Sequence, residues 1–141
     1  MSTQTEPYGV IRSYVRYGLP CALVWSLYLL ALWPGILTED SVDQWTQMTT
    51  LRLTGYHSPL HTLTNWMVTR VAASPAAVAI AQILGLSLTF AAVLHRCRRR
   101  GASRALLGAT TIVFALAPPN GFMAITLWKD VPYTIALLPP C

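Results

Sequence analysis

Residues 18–37 read Gly18-Leu-Pro-Cys-Ala-Leu-Val-Trp-Ser-Leu-Tyr-Leu-Leu-Ala-Leu-Trp-Pro-Gly-Ile-Leu37, and residues 38–43 read Thr38-Glu-Asp-Ser-Val-Asp43. The apolar run has no charged residue and is long enough to cross about 30 Å of hydrocarbon as a helix. The acidic segment holds Glu39, Asp40 and Asp43, three of the five acidic residues in the chain. A carboxylate beside hydrocarbon is costly, so acids placed directly after an apolar run predict a functional group at a membrane surface.

Two further apolar segments of span length follow, at residues 75–94 and 105–127, and the second is interrupted by Pro118-Pro119-Asn120. Residues 131–141 are apolar but too short to span. The chain is 54% hydrophobic and 11% charged, whereas soluble domains carry about 25% charged residues. These features predict an all-α membrane protein with three transmembrane helices and the start of a fourth. An end inside an apolar segment favours the N-terminal part of a larger protein over a complete three-span protein.

The distribution of basic residues predicts the topology. Residues 1–17 and the loop 95–104 hold seven basic residues and become cytoplasmic by the positive-inside rule. Residues 38–74 and the acidic turn 128–130 then lie outside, with three basic residues. The same topology puts Glu39, Asp40, Asp43 and Asp130 on one face. The arginines of residues 96–104 are interpreted as a topology anchor, in preference to a lipid-binding site; we expect membrane lipids and no nucleic acid as partners.

The outer loop is predicted to contain two interfacial amphipathic helices. The first begins with Ser41 as N-cap and Gln44 at the third position, a capping box. We expect it to carry Trp45 and Met48 on its apolar side, opposite a polar side of Asp40, Asp43, Gln44 and Gln47. The second begins at Ser58-Pro59. Its expected apolar side is Leu60, Leu63, Met67 and Val71, and its polar side is His61, Asn65 and Thr69.

The acids allow two kinds of chemistry. A carboxylate can accept a proton from an acceptor hydroxyl or amine. It can also bind a divalent cation, Mg or Mn, with Asp40 and Asp130 as the ligands. The simpler alternatives are that Glu39 and Asp40 only cap a span and that Lys129 is a snorkelling anchor.

Three motifs carry a resemblance to a known family: residues 33–47 from Trp33-Pro-Gly to Gln47, His57-Ser-Pro-Leu-His-Thr62, and Leu127-Trp-Lys-Asp-Val131. Together they resemble the N-terminal part of bacterial GT-C-type membrane glycosyltransferases, most closely an uncharacterised branch. The resemblance covers roughly residues 17–138. It departs from the family at Ser58, which separates His57 from the proline.

The resemblance implies transfer of a sugar from a polyprenyl-phosphate donor at the outer face of the bacterial inner membrane. It implies Asp40 as the catalytic carboxylate, Glu39 as its less favoured neighbour, and Asp130 as the second acid. The implied substrate-binding residues are Lys129, His57, His61, Gln44 and Gln47. The alternative is a non-catalytic membrane protein or a transporter fragment. We also expect the 141-residue chain to be inactive by itself, because the family fold has further spans.

Overall fold

The structure, a computed structural model, describes residues 7–50, 52 and 59–138. Within these residues the chain forms helices and no β-strand, apart from an isolated bridge between Ile36 and Thr126. The helices are α1 (Pro7–Ala31), α2 (Glu39–Thr50), α3 (Pro59–Thr69), α4 (Pro75–Arg99), α5 (Arg104–Leu116), α6 (Pro118–Ile125) and α7 (Asp130–Leu137). The predicted all-helical class is therefore confirmed for the described part of the chain.

The core lies where α1 and α4 pack side by side in opposite directions. Gly18 lies against Ser87, and Gly35, at the far end of α1, lies against Ala79. Trp25 is fully buried at the centre, in a cluster with residues of α4, α5 and α6. The bundle therefore has two ends. We call the end where α1 begins and α4 finishes the basic end, and the end where α1 finishes and α7 begins the acidic end.

Several predicted boundaries are shifted. The first long helix begins at Pro7 and ends at Ala31, whereas residues 18–37 were expected to form it. The second continues to Arg99, beyond residue 94. The predicted boundaries were those of the apolar runs. A helix continues as long as its backbone hydrogen bonds do, whatever the polarity of its side chains. Polar residues therefore extend both helices at the basic end.

The third apolar segment is two helices, not one. Helix α5 ends at Leu116, and α6 begins at Pro118 with a bend of 60° between them. Proline lacks the N–H that would continue the ladder of α5 but fits the first turn of a new helix. The Asn120 side-chain amide donates to the Phe114 carbonyl at 2.8 Å, which satisfies one of the carbonyl groups exposed by the break.

Helix α4 is the one described helix that is by itself long and apolar enough to cross a membrane. The bent pair α5–α6 passes the same test when the two helices are counted as one span. The predicted count of three spans remains a prediction.

The outward surface of the bundle is strongly apolar. Along α1, Leu19, Leu23 and Leu27 follow one another at one-turn spacing and are 49%, 59% and 64% exposed. Helices α4 and α5 also expose apolar side chains, namely Ile80, Leu84, Leu88, Ile112 and Val113. Exposed apolar side chains in this number indicate contact with lipid or with other protein.

Candidate functional site

The two acidic segments meet through a short backbone bridge at the acidic end. The Ile36 amide donates to the Ile125 carbonyl at 3.0 Å, and the Leu127 amide donates to the Ile36 carbonyl at 3.2 Å. This parallel pairing fixes the chain after α1 beside the chain after α6. Glu39 and Asp40 therefore begin α2 next to the point where Lys129 and Asp130 begin α7.

The Thr38 hydroxyl ties the start of α2 to this bridge. Its oxygen accepts from the Ser41 amide at 3.3 Å and from the Trp128 indole Nε1 at 3.1 Å. Its oxygen also lies 2.9 Å from the Ser41 hydroxyl, which donates to the Leu127 carbonyl at 2.9 Å. Because the Ser41 hydroxyl donates to Leu127, the Thr38 hydroxyl donates its own proton to the Ser41 oxygen. The two lone pairs of the Thr38 oxygen accept from the Ser41 amide and the Trp128 indole.

This arrangement corrects the predicted N-cap of α2. Ser41 was expected to cap the helix, but α2 begins at Glu39 and Thr38 occupies the capping position. Ser41 is buried within the first turn, where its hydroxyl bonds to Leu127, which is remote in sequence. Thr38, which was not predicted as a cap, has a hydroxyl of the type that accepts from a first-turn amide, and the Ser41 hydroxyl is used in its bond to Leu127.

An open pocket of about 390 Å³, which we call the acidic pocket, lies at this junction. It brings together most of the site residues predicted from sequence. Its lining residues are Thr38, Glu39, Asp40, Gln44, Trp128, Lys129 and Asp130. Glu39, Asp40 and Asp130 are exposed, so their carboxylates are accessible from solvent, whereas the Gln44 side chain is buried.

A second cavity, which we call the apolar groove, adjoins the acidic pocket. It has a volume of about 420 Å³ and lies between α3, α4 and α7. Lys129 lines both cavities. The remaining wall is mostly aliphatic, with Val78, Ala81, Gly85, Pro132, Ile135 and Ala136 among its residues. The Lys129 side chain therefore lies where the acidic pocket and the apolar groove meet.

Helix α3 turns its polar side toward the bundle. His61 and Asn65 are buried, and His61 Nε2 lies 3.0 Å from the Asn65 side-chain nitrogen. Leu63 and Met67, on the predicted apolar side, are 50% and 63% exposed. His61 lines the apolar groove and not the acidic pocket. His57, the other predicted histidine, lies outside the described residues.

The predicted faces of α2 were wrong in part. Gln44, Gln47 and Met48 are all buried on one side of the helix, whereas the glutamines were expected opposite Met48. The Gln47 side-chain amide donates to Asp43 Oδ2 at 2.9 Å, and Gln47 does not line the acidic pocket. Helix α2 packs against α3, and on its buried side the Ser41 hydroxyl donates to the Leu127 carbonyl.

Asp40 and Asp130, which were considered as ligands of a divalent cation, both line the acidic pocket. Within the described residues there is no group of three or more His, Cys, Asp or Glu side chains arranged to hold a metal. The pocket instead contains a positive charge of its own, the Lys129 ammonium. A Mg or Mn ion with Asp40 and Asp130 as ligands stays a prediction, and we derive no step through a metal.

The chain matched no known protein family, no curated protein and no solved structure. The geometry of the site therefore stands without a relative for comparison.

Proposed function

We propose that this chain forms the donor-binding part of a membrane glycosyltransferase that takes its sugar from a polyprenyl-phosphate carrier. The observation that carries the proposal is the meeting of the acidic pocket and the apolar groove at Lys129. A polyprenyl-phosphate sugar has a long apolar tail, an anionic phosphate and a polar sugar, in that order. The apolar groove, Lys129 and the acidic pocket offer complementary surfaces in the same order.

The proposal includes a membrane-embedded chain with three spans, formed by α1, α4 and the α5–α6 pair. The exposed leucines of α1 and α4 support it, because they suit hydrocarbon contact better than water. Helices α2 and α3 then lie at the interface. The exposed Leu63 and Met67 on α3, with His61 buried, support this placement, since a helix in water would turn its leucine inward. By the positive-inside rule the basic end faces the cytoplasm of a bacterial inner membrane.

The apolar groove suits the first isoprene units of the carrier. Its volume of about 420 Å³ lies within the range of ordinary ligand cavities, about 300–1,000 Å³. Burying each methylene equivalent of a tail contributes about 0.8 kcal/mol where the reference is water. For a tail already dissolved in lipid, the free energy gained by burial in the groove is smaller. The groove then mainly orients the carrier, and Lys129 with the acidic pocket selects the phosphate and the sugar.

The chemistry we propose uses Asp40 and Lys129. An acceptor hydroxyl attacks the anomeric carbon of the sugar, the bond from that carbon to the phosphate oxygen breaks, and the phosphate leaves with the electron pair. Asp40 takes the proton of the hydroxyl as general base. The Lys129 ammonium stabilises the negative charge that develops on the leaving phosphate. Asp130 and Glu39 line the same pocket and are candidates for holding sugar or acceptor hydroxyls.

The position of the acids favours the enzyme over the transporter alternative. Asp40 and Asp130 are exposed at one end of the bundle, beyond the last turn of α1. Carboxylates that couple transport to ions lie near mid-membrane between packed helices, and within the described residues α1, α4, α5 and α6 contain no acidic residue.

The test is sugar transfer from a radiolabelled polyprenyl-phosphate sugar, with this chain in its native membrane and full genetic context. We expect Asp40→Asn to reduce transfer by about 10²- to 10⁴-fold, the usual contribution of a general base. Asp43→Asn is the matched control, because Asp43 is an exposed acid of the same helix that does not line the acidic pocket. Transfer by Asp40→Asn at the wild-type rate would remove Asp40 from the mechanism, and equal losses in both variants would point to a charge effect without a specific base.

A further inference from the structure

A third cavity lies at the basic end, across the bundle from the acidic pocket. It has a volume of about 360 Å³ and is bounded by the first turns of α1, the end of α4 and the start of α5. We call it the basic pocket. Its arginine and histidine lining residues are Arg12, Arg16, His95, Arg98, Arg99 and Arg104.

The fold builds this pocket from two arginine groups that are far apart in sequence. Arg12 and Arg16 are one turn apart and share a face of α1. Because α1 and α4 run in opposite directions, that face meets the end of α4, where Arg98 and Arg99 lie. The Arg98 Nη1 donates to the Ala102 carbonyl at 2.9 Å, which holds its guanidinium at the turn into α5. Two basic segments, each of which was used only to predict topology from the sequence, thus line one concave site.

No described carboxylate lies near enough to neutralise this charge. Glu39, Asp40 and Asp43 follow the far end of α1, and Asp130 lies beside them at the acidic pocket. From Arg12 to Ala31 the helix extends about 28 Å at 1.5 Å per residue. Charges interact weakly beyond a screening length of about 8 Å at physiological salt. The described part of the chain therefore supplies no carboxylate to the basic pocket.

The number of arginines in the basic pocket indicates which class of anion it binds. A guanidinium offers a planar fork of donors that matches two phosphate oxygens at once. Five such groups around one concave site suit a phosphate, which presents several oxygens in different directions.

Exposed apolar residues beside the basic pocket indicate that the phosphate belongs to a lipid. Ile11 and Val15, which are neighbours of the pocket arginines on α1, are 61% and 55% exposed. Leu106, two residues after Arg104, is 60% exposed. A phosphate held in the pocket therefore has open aliphatic surface on two sides, where acyl chains can lie.

We propose that the basic pocket binds the phosphate group of an anionic phospholipid. The site lies at the opposite end of the bundle from the acidic pocket and does not depend on sugar transfer. Bound there, the lipid headgroup bridges the start of α1 to the end of α4 and the start of α5.

The experiment is a lipid titration of the detergent-solubilised protein followed by native mass spectrometry. The probes are phosphatidic acid and phosphatidylcholine with the same acyl chains, each with and without millimolar inorganic phosphate. We expect phosphatidic acid to bind preferentially. We expect Arg12→Gln combined with Arg16→Gln to weaken its binding by about tenfold or more, because bidentate charge-assisted bonds are lost. Both arginines are exposed, so the variant should keep its fold, and its helical circular dichroism checks this.

The control is Arg100→Gln, which removes one charge next to Arg98 and Arg99 at the end of α4 without changing the pocket lining. Binding that stays within about twofold of wild type in this control, with the large loss in the pocket variant, supports a built site. Equal losses in both would overturn the proposal in favour of diffuse surface charge. Displacement of phosphatidic acid by inorganic phosphate alone would overturn the lipid assignment and assign the site to a soluble phosphate.

Discussion

Replacement of Thr38 by valine should loosen the acidic pocket without touching any charged residue. The Thr38 oxygen accepts from the Ser41 amide and the Trp128 indole and is bonded to the Ser41 hydroxyl. Losing the N-cap costs about 1 kcal/mol, and each of the two other bonds contributes about 0.5–1 kcal/mol when partly exposed. The expected loss is about 2–3 kcal/mol, or roughly 30- to 160-fold in the local opening equilibrium at 1.36 kcal/mol per tenfold.

Hydrogen exchange measured by mass spectrometry reports this opening directly. In the protein solubilised in detergent, the peptide covering residues 36–45 should exchange faster by that factor in Thr38→Val, while peptides from α4 stay unchanged. Thr38→Ser should exchange like wild type, because it keeps the hydroxyl. Thr49→Val is the matched control, since the Thr49 hydroxyl bonds only to carbonyls of its own helix. Wild-type exchange in Thr38→Val would refute the role assigned to this hydroxyl.

Two further predictions concern packing and accessibility. Gly121→Ala should destabilise the protein by about 1–3 kcal/mol, because its Cβ would lie 2.9–3.0 Å from three ring atoms of Tyr28. Gly108→Ala, with nothing within 4 Å of the new Cβ, should be neutral or slightly stabilising by comparison; equilibrium unfolding in detergent compares the two, and equal effects would contradict the packing of α6 on α1. In a variant lacking the third cysteine, maleimide should label Cys97, which is partly exposed, and leave the fully buried Cys21 unmodified in the folded protein; rapid labelling of both would contradict the packing of α1 against α4.

Local sequence signals predicted the starts of α3 and α4. Pro59 opens α3 as expected. Pro75 opens α4 after Ser74, whose hydroxyl accepts from the Ala76 amide at 3.2 Å. The break at Pro118 was also recognisable. These features depend on residues within one turn of each other, so the sequence contains the whole cause.

Long-range contacts explain what the sequence did not reveal. The Ile36–Thr126 bridge joins segments that are far apart in the chain, and no periodicity marks it. It is nevertheless what places Asp40 beside Lys129. The buried side of α2 has the same origin, because Gln44 and Gln47 look like solvated residues until the surface that α2 covers is known. Sequence reasoning therefore predicted that the acidic residues lie on one face, but not the backbone contact that brings them to one pocket.

The apolar groove was also hidden from the sequence. Its wall combines residues of α3, α4 and α7 that each read as ordinary apolar helix positions. The Gln82 side-chain amide donates to the Trp128 carbonyl at 3.4 Å, beside the groove. An isolated glutamine within an apolar run was the one local signal that pointed to this region.

We propose that a prenyl-phosphate carrier lies in the apolar groove with its phosphate at Lys129. The most direct test is photo-crosslinking of this chain in detergent with a short prenyl phosphate that carries a diazirine in its tail. Adducts are mapped by peptide mass spectrometry. Ala81→Trp fills the groove, and Ala109→Trp, at an exposed position of α5, is the control.

We expect adducts on α7 and on residues 78–85 of α4. They should be competed by unlabelled prenyl phosphate, lost in Ala81→Trp and in Lys129→Gln, and retained in Ala109→Trp. Adducts spread along the exposed face of α1, with the same yield in Ala81→Trp and Lys129→Gln as in wild type, would contradict the account.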